Sequence, residues 1–366
     1  MNCAHHRAGR CRSCDLLGAP DPTVDRERFL QELLAVTPRA TLRGPSEGFR
    51  DKIKISVGGT VDHPVLGLLR PDLSGVEEIH DCPVQAPALN ARLPALAAFI
   101  TRWRLTPYDI AGRTGELKGL ILSRSPTTGE SMLRFVLRSR EALDRIRQGL
   151  PALADFDVVS VNLQPIPHAL LEGPEEILLS AKEHLHHRSA RGVTLCYTPQ
   201  SFMQTNTVVA DALYAEAADW LAPWSGKRGL DLFCGTGGFA LHLAPALEMA
   251  GAELNASAIQ AARTASALNQ LNVRFDTLAA HEAREFWKAW SPDVVVVNPP
   301  RRGLGEGLSL VMELAPPVLL YSSCSPASFA ADFSTLKSRY NATQTRIFEM
   351  FPHTQHFEVL TLLVRS

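Results

Sequence analysis

The chain has 366 residues, 45% of them hydrophobic, with 37 Lys and Arg against 38 Asp and Glu and a formal net charge of -1. That composition supports a large buried core and two domains, and gives no overall attraction for a polyanion. No apolar run reaches the roughly 18–20 residues of a membrane span, and the polar, Arg-rich start lacks the apolar centre of a secretory signal.

A cytoplasmic protein is therefore expected. Thiols stay reduced there, so the seven cysteines point to ligands, a nucleophile or core packing and not to disulfides. Three of them, Cys3, Cys11 and Cys14, fall within MNCAHHRAGRCRSC, one short of the four that a tetrahedral site needs. Helical patterns follow in DRERFLQELLAV and LPALAAFITRW. Strand patterns split by Gly- and Ser-containing turns appear in KIKISVGG, LKGLILSR, SMLRFVLRS and DVVSVNLQPI. These predict an α+β domain over residues 1–190. Residues 101–150 carry ten Arg and Lys against five Asp and Glu, with Arg134, Arg138 and Arg140 close together. A basic patch is the footprint expected for a phosphate backbone, although a solvated face has the same composition. The segment SAKEHLHHRSARG reads as an exposed linker, and metal ligation by His184, His186 and His187 is the alternative.

From about residue 191 the grammar changes. GLDLF, MAGAEL, VRFDT, DVVVVNPP and PVLLYSSC are strand candidates separated by helical segments, among them NASAIQAARTASALNQ with Asn255 as N-cap and AHEAREFWKAW. Such alternation predicts a doubly wound, mostly parallel α/β sheet over residues 191–366. The last two runs, TQTRIFEMF and FEVLTLLVRS, have no helix between them and predict an antiparallel hairpin at the sheet edge.

DLFCGTGG ends the first strand of this half, where an open α/β sheet binds its ligand. Its glycines permit close backbone approach, but the pattern is neither G-x-G-x-x-G nor a Walker loop. Glu253 closes the second strand, placed to accept hydrogen bonds from ribose hydroxyls; this suits a nicotinamide dinucleotide and S-adenosylmethionine alike. The following NPPR (298–301) puts a φ-restricted turn beside the cofactor's reactive end. Together these motifs resemble class I S-adenosylmethionine-dependent methyltransferases acting on nitrogens or nucleobases.

Arg301 and Arg302 follow Asn-Pro-Pro where enzymes acting on exocyclic nitrogens usually carry an aromatic, and the next strand ends in Cys324. A thiol does little for a nitrogen, which has its own lone pair. Pyrimidine C5 is a poor nucleophile and needs one: thiolate addition at C6 makes C5 enolate-like. A base must later remove the C5 proton, and Glu358 at the start of the final strand supplies it. DLFCGTGG, NPPRRG, YSSC, FPHTQHFEVLTLL and PQSFMQTN are similar to the RNA (uracil-5-)-methyltransferases. The resemblance implies Cys324 as nucleophile, Glu358 as base, and Gln204, Phe233, Glu253 and Asn298 as contacts to S-adenosylmethionine. It also implies that Arg301 and Arg302 lie near the target nucleotide. Cytosine-C5 RNA enzymes typically carry a cysteine where this chain reads NPPR. Cys196 reads as core and Cys234 as packing in the cofactor loop.

Within that family the ribosomal branches have an N-terminal cysteine cluster whose fourth member lies far downstream, here Cys82 in DCP. The resemblance implies a [4Fe–4S] cluster on Cys3, Cys11, Cys14 and Cys82, with four-cysteine zinc as the alternative. CAHHRAGRCRSC, GFRDKIKISV, RTGELKGLILS and LRFVLRSR resemble the short form that lacks an added N-terminal β-barrel. That form implies C5-methylation of uridine 747 of 23S ribosomal RNA. The basic 101–150 region and the cluster domain are expected to grip RNA, the cluster to tie the N-terminal arm down, and, with no obligate protein partner evident, the chain to be a monomer. Asp51 stands where an amide is expected, and Met203 where an aromatic is frequent. The rival readings are a uracil-5-methyltransferase for another ribosomal or transfer RNA site, and a non-catalytic iron–sulfur assembly factor.

Overall fold

The structure, a computed structural model, describes residues 1–366 except 167–171, 280, 281 and 283. It divides into two compact units that interleave along the chain. One comprises Met1–Cys14, Pro45–His187 and Thr198–Thr207; the other comprises Asp15–Gly44, Arg188–Tyr197 and Val208–Ser366. A single cut at 190/191 is thus replaced by an exchange of segments: residues 15–44 pack with the second unit, and 198–207 with the first.

The second unit is built on an eight-stranded sheet. Its spatial order is Arg39–Leu42, Tyr340–Phe348, Glu358–Arg365, Val318–Ser323, Val294–Val297, Arg228–Leu232, Glu248–Glu253, Arg274–Thr277. The strand Val294–Val297 is four valines with no exposed surface, the pattern of a parallel strand covered on both faces. The chain runs from Arg228–Leu232 outward to Arg274–Thr277, then returns to Val294–Val297 on the other side. The carboxyl ends of Arg228–Leu232 and Val294–Val297 therefore flank the switch point where such sheets bind ligands. Asn255 caps Ala256–Leu268 as its sequence predicts, accepting from the amides of Ser257 and Ala258 at 3.0 and 3.1 Å. The helix expected over AHEAREFWKAW occupies Arg284–Trp290; residues 280, 281 and 283 of that stretch lie outside the described residues.

The final two strands do pair antiparallel, but they do not form the edge. Arg39–Leu42 adds in parallel outside Tyr340–Phe348, so a segment from the beginning of the chain closes that side of the sheet. The register of Glu358–Arg365 against Val318–Ser323 pairs Ser323 with Val359 and Ser322 with Leu360. This brings Glu358 opposite the residue that follows Ser323, which is Cys324.

The first unit contains a seven-stranded sheet in the order Val76–Glu78, Pro64–Leu69, Lys52–Gly59, Leu117–Arg124, Ser131–Leu137, Val158–Leu163, Glu175–Leu178. Neighbours are antiparallel except the pair Ser131–Leu137 and Val158–Leu163. Leu93–Arg102 and Leu143–Gly149 supply Leu93, Leu96, Ile100 and Ile146 to a core shared with Leu120 and Phe135.

Two surface expectations are corrected here. Arg134 is 1% exposed and forms bonds of 2.6–3.0 Å to Glu172 and Glu176. Arg138 pairs with Glu116 and Arg140 with Glu175. LRFVLRSR is thus neutralised by acids that arrive from elsewhere in the sheet, and it is not a free phosphate-binding stripe. The histidine segment is not an exposed linker either: Leu185–Arg188 is a strand, and His187 is buried with the Ser125 hydroxyl 3.2 Å from its Nδ1. Among the described residues no helix is long and apolar enough to cross a membrane.

Candidate active site

The glycine loop leaves Arg228–Leu232 through Phe233, Gly235 and Gly237, all with left-handed backbone (φ 69°, 53° and 83°). Gly235 has no heavy atom within 4 Å of where a Cβ would stand, so its open face is available to a ligand. Glu253, at the tip of the adjacent strand, accepts from the amides of Gly235 (3.3 Å) and Asn255 (2.9 Å). A cavity of about 340 Å³ lies here, lined by Phe233, Glu253, Leu254, Leu278 and the Arg302–Gly307 turn. Its volume is within the range for small-molecule sites. A carboxylate beside apolar walls and an open glycine turn fits a nucleoside-bearing cofactor. Below it, Asp231 is fully buried: its Oδ2 accepts from Ala240, its Oδ1 has no partner among the described residues, and burial lifts its carboxyl to about 8.

Asn298 follows the valine strand, half-buried, next to Phe233 by the Leu232–Val297 register. Beyond it the chain turns through Gly303 (φ 84°), and Asp332 fixes that turn. Its Oδ2 accepts from the Leu304 amide at 2.9 Å and from the Tyr321 hydroxyl at 2.6 Å. A Cβ on Gly303 would lie 2.7 Å from the same oxygen. Sequence reasoning overlooked Asp332, although an acid on the face shared by Phe329, Phe333 and Leu336 was a visible anomaly.

Cys324 caps Val318–Ser323 and is half-buried. Burial pushes its thiol above the usual 9.0, the Glu358 carboxylate pushes it further, and a hydrogen bond and positive charge from Arg301 pull it back. Glu358 is 2% exposed and accepts a 2.6 Å hydrogen bond from the Ser322 hydroxyl. Burial raises its carboxyl from 4.5 to about 7, against the opposing effect of that bond. Ser322 was another residue that sequence reasoning passed over, despite its place two before the thiol. The site can therefore offer a thiol beside a guanidinium and, on the facing strand, an acid near its midpoint at neutral pH. That is the equipment of nucleophilic addition followed by proton abstraction.

Gln204 is buried within the first unit. Cys3, which is buried, and Cys11, Cys14 and Cys82, which are half-buried, lie in the same unit and line a cavity of about 50 Å³ together with His5 and Arg50. Burial lifts the Cys14 thiol to about 11, and charge on Cys82, Cys11 and Cys3 lifts it too. Among the described residues no three His, Cys, Asp or Glu side chains are placed to hold one metal ion. Asp51, where an amide was expected, accepts from the Thr207 hydroxyl at 2.7 Å and faces Arg124. A larger cavity of about 490 Å³ in this unit, beside Lys54, Tyr108 and Lys118, contains neither the thiol nor the carboxylate.

The profile of the tRNA (uracil-5-)-methyltransferase family matches residues 182–366. Over the full length of both chains, the sequence is 44% identical to the 23S rRNA (uracil(747)-C(5))-methyltransferase RlmC of Edwardsiella ictaluri and 43% identical to that of Cronobacter sakazakii. Among solved structures, the tRNA (uracil-54, C5)-methyltransferase of Pyrococcus abyssi in complex with S-adenosyl-L-homocysteine is similar. It has 25% identity and a TM-score of 0.81, covering 96% of this chain and 85% of that one.

Proposed function

This chain belongs to the uracil-5-methyltransferase family, and on that premise we propose that it methylates C5 of uridine 747 in 23S ribosomal RNA. The observation that carries the reading is the facing of Cys324 and Glu358 at the ends of paired strands, with the thiol hydrogen-bonded by Arg301, whose neighbours Pro300 and Arg302 line the glycine-loop cavity. Phe233, Glu253 and Asn298 would hold S-adenosylmethionine. When bound, that cofactor supplies an electrophilic methyl group on a sulfonium.

The Cys324 thiolate adds to C6 of the uracil, and electron density moves to C5, which becomes able to accept the methyl. Arg301 stabilises the thiolate, which burial and Glu358 disfavour. Glu358 then takes the C5 proton, the C5=C6 double bond reforms, and the C6–S bond breaks to return the thiolate. A carboxyl at about 7 suits this step, because the ionised fraction and the basicity are both substantial near neutrality. Uracil stacked in a helix exposes neither face of C6, so the substrate nucleotide is unpaired or turned out of its stack.

Cys3, Cys11, Cys14 and Cys82 line one small cavity, and an all-thiolate set suits a [4Fe–4S] cluster, with a four-cysteine zinc site as the alternative. The cluster's role is structural, holding the N-terminal arm to the region of Cys82.

Mapping 5-methyluridine in 23S ribosomal RNA tests the site assignment. Deletion of the gene is expected to remove the modification at 747 alone, the wild-type chain to restore it, and Cys324→Ala not to. Loss at a different uridine, or persistence at 747, would overturn it.

A further inference from the structure

The segment just before the catalytic carboxylate is held by the beginning of the chain. Within the second unit, the Leu16 amide donates to the His353 carbonyl at 3.0 Å, and the Gln355 amide donates to Asp15 Oδ1 at 3.3 Å. Between them, Arg26 on the helix Thr23–Leu34 donates through Nη2 to the Thr354 carbonyl at 2.7 Å. The same guanidinium lies over the ring of Phe357, 4.6 Å from its centroid. Phe357 is buried in the core with Leu30 and Leu34 of that helix, and the next residue is Glu358. His353 has left-handed backbone (φ 65°), and Gln355 and His356 are exposed. The loop is tied to the sheet at its start, where the Glu349 amide donates to the Leu42 carbonyl at 2.9 Å and the Met350 amide to the Phe348 carbonyl at 2.8 Å; further on, Thr354 Oγ1 donates to the Phe351 carbonyl and accepts from the His356 amide.

We propose that Arg26 is a positioning residue for proton abstraction: by gripping Thr354 and Phe357 it sets where Glu358 leaves the loop and so aims the carboxylate at C5. The inference rests on the reading of Glu358 as the base. Addition of Cys324 to C6 does not need that aim, whereas elimination does. In elimination the Glu358 carboxylate accepts the C5 proton, the C–H electron pair becomes the C5=C6 bond, and the C6–S pair departs on Cys324. Water then takes the proton from Glu358. Because a misplacement near 1 Å costs on the order of a hundredfold, loss of the clamp slows elimination selectively.

The test follows the denaturant-resistant protein–RNA adduct in single-turnover reactions of the full-length chain, with S-adenosylmethionine and a ribosomal RNA fragment containing the target uridine. Arg26→Ala is expected to form adduct within about threefold of the wild-type rate and to resolve it at least about tenfold more slowly. Arg26→Lys keeps the charge without the planar stack and is expected to fall between. Arg28→Ala, an exposed neighbour on the same helix, is expected to match wild type. Equal slowing of formation and decay, or no change in either, would overturn the proposal. If Arg26→Ala does not fold, the same skew is required of Arg26→Lys, and its absence there overturns the proposal. Failure of Glu358→Gln to accumulate adduct would instead defeat the reading of Glu358, which separates the two claims.

Discussion

Replacing Glu358 by Gln is expected to destroy turnover and yet stabilise the fold, by an amount that depends on pH. The carboxyl is 2% exposed and lifted from 4.5 to about 7 by burial. Between those values the unfolded chain has released the proton while the native chain retains it. Native protein then binds more protons, so stability falls as pH rises through this window. At about 1.4 kcal/mol per tenfold change in proton affinity, the carboxyl costs roughly 3 kcal/mol at pH 8 and under about 1 kcal/mol at pH 5. Glutamine has the same shape, carries no charge, and its amide oxygen can still accept from the Ser322 hydroxyl. For a unit of about 200 residues, 3 kcal/mol corresponds to a rise in Tm on the order of 5–10 °C. Calorimetry of both proteins at pH 5, 6, 7 and 8 measures it. A Gln variant no more stable than wild type at pH 8, or an offset that does not grow with pH, would refute the reasoning.

Arg301→Ala is expected to move the Cys324 titration upward, since the charge and hydrogen bond of Arg301 both lower it; alkylation of the Cys324 peptide against pH, read by mass spectrometry, checks this. On the proposed [4Fe–4S] ligation, the parent is expected to hold about four iron and about four acid-labile sulfide per chain and Cys82→Ser to lose both, while S-adenosylmethionine binding by calorimetry is retained. Arg134→Ala is expected to destabilise the first unit by about 3–5 kcal/mol, because it leaves Glu172 and Glu176 without their buried partner. Denaturant melts should show that loss, and the salt dependence of RNA binding should not change. Asp332→Ala should cost about 1–3 kcal/mol for the Tyr321 hydroxyl and Leu304 amide left unpaired, and should weaken cofactor binding in the same calorimetric assay.

The juxtaposition of the candidate thiol and acid was legible because the proposed chemistry constrains residue type and place together. A thiol at the end of one strand, an acid at the start of another and a glycine loop after a third leave few alternatives once the α/β alternation is seen. The four-valine strand and the Asn255 cap were readable from local pattern alone. What escaped was whatever depends on partners distant in sequence. Arg134 looks like a surface cation until Glu172 and Glu176 are brought to it by the neighbouring strands. The helix Thr23–Leu34 and the strand Arg39–Leu42 carry no local mark of packing with residues three hundred positions later. The expected edge hairpin failed for that reason: antiparallel pairing is a local property of the hairpin, whereas edge position depends on who else arrives. Asp332 differs, since a buried acid within an otherwise apolar helix face can be found by inspection.

Covalent catalysis by Cys324 is the central claim, and trapping its adduct tests it most directly. Glu358→Gln incubated with S-adenosylmethionine and the ribosomal RNA fragment is expected to accumulate a denaturant-resistant complex. Its digested peptide should join Cys324 to a uridine one methyl group heavier. Adding Cys324→Ala should abolish the complex. An adduct that survives Cys324→Ala, or maps to a different residue, would contradict the mechanism.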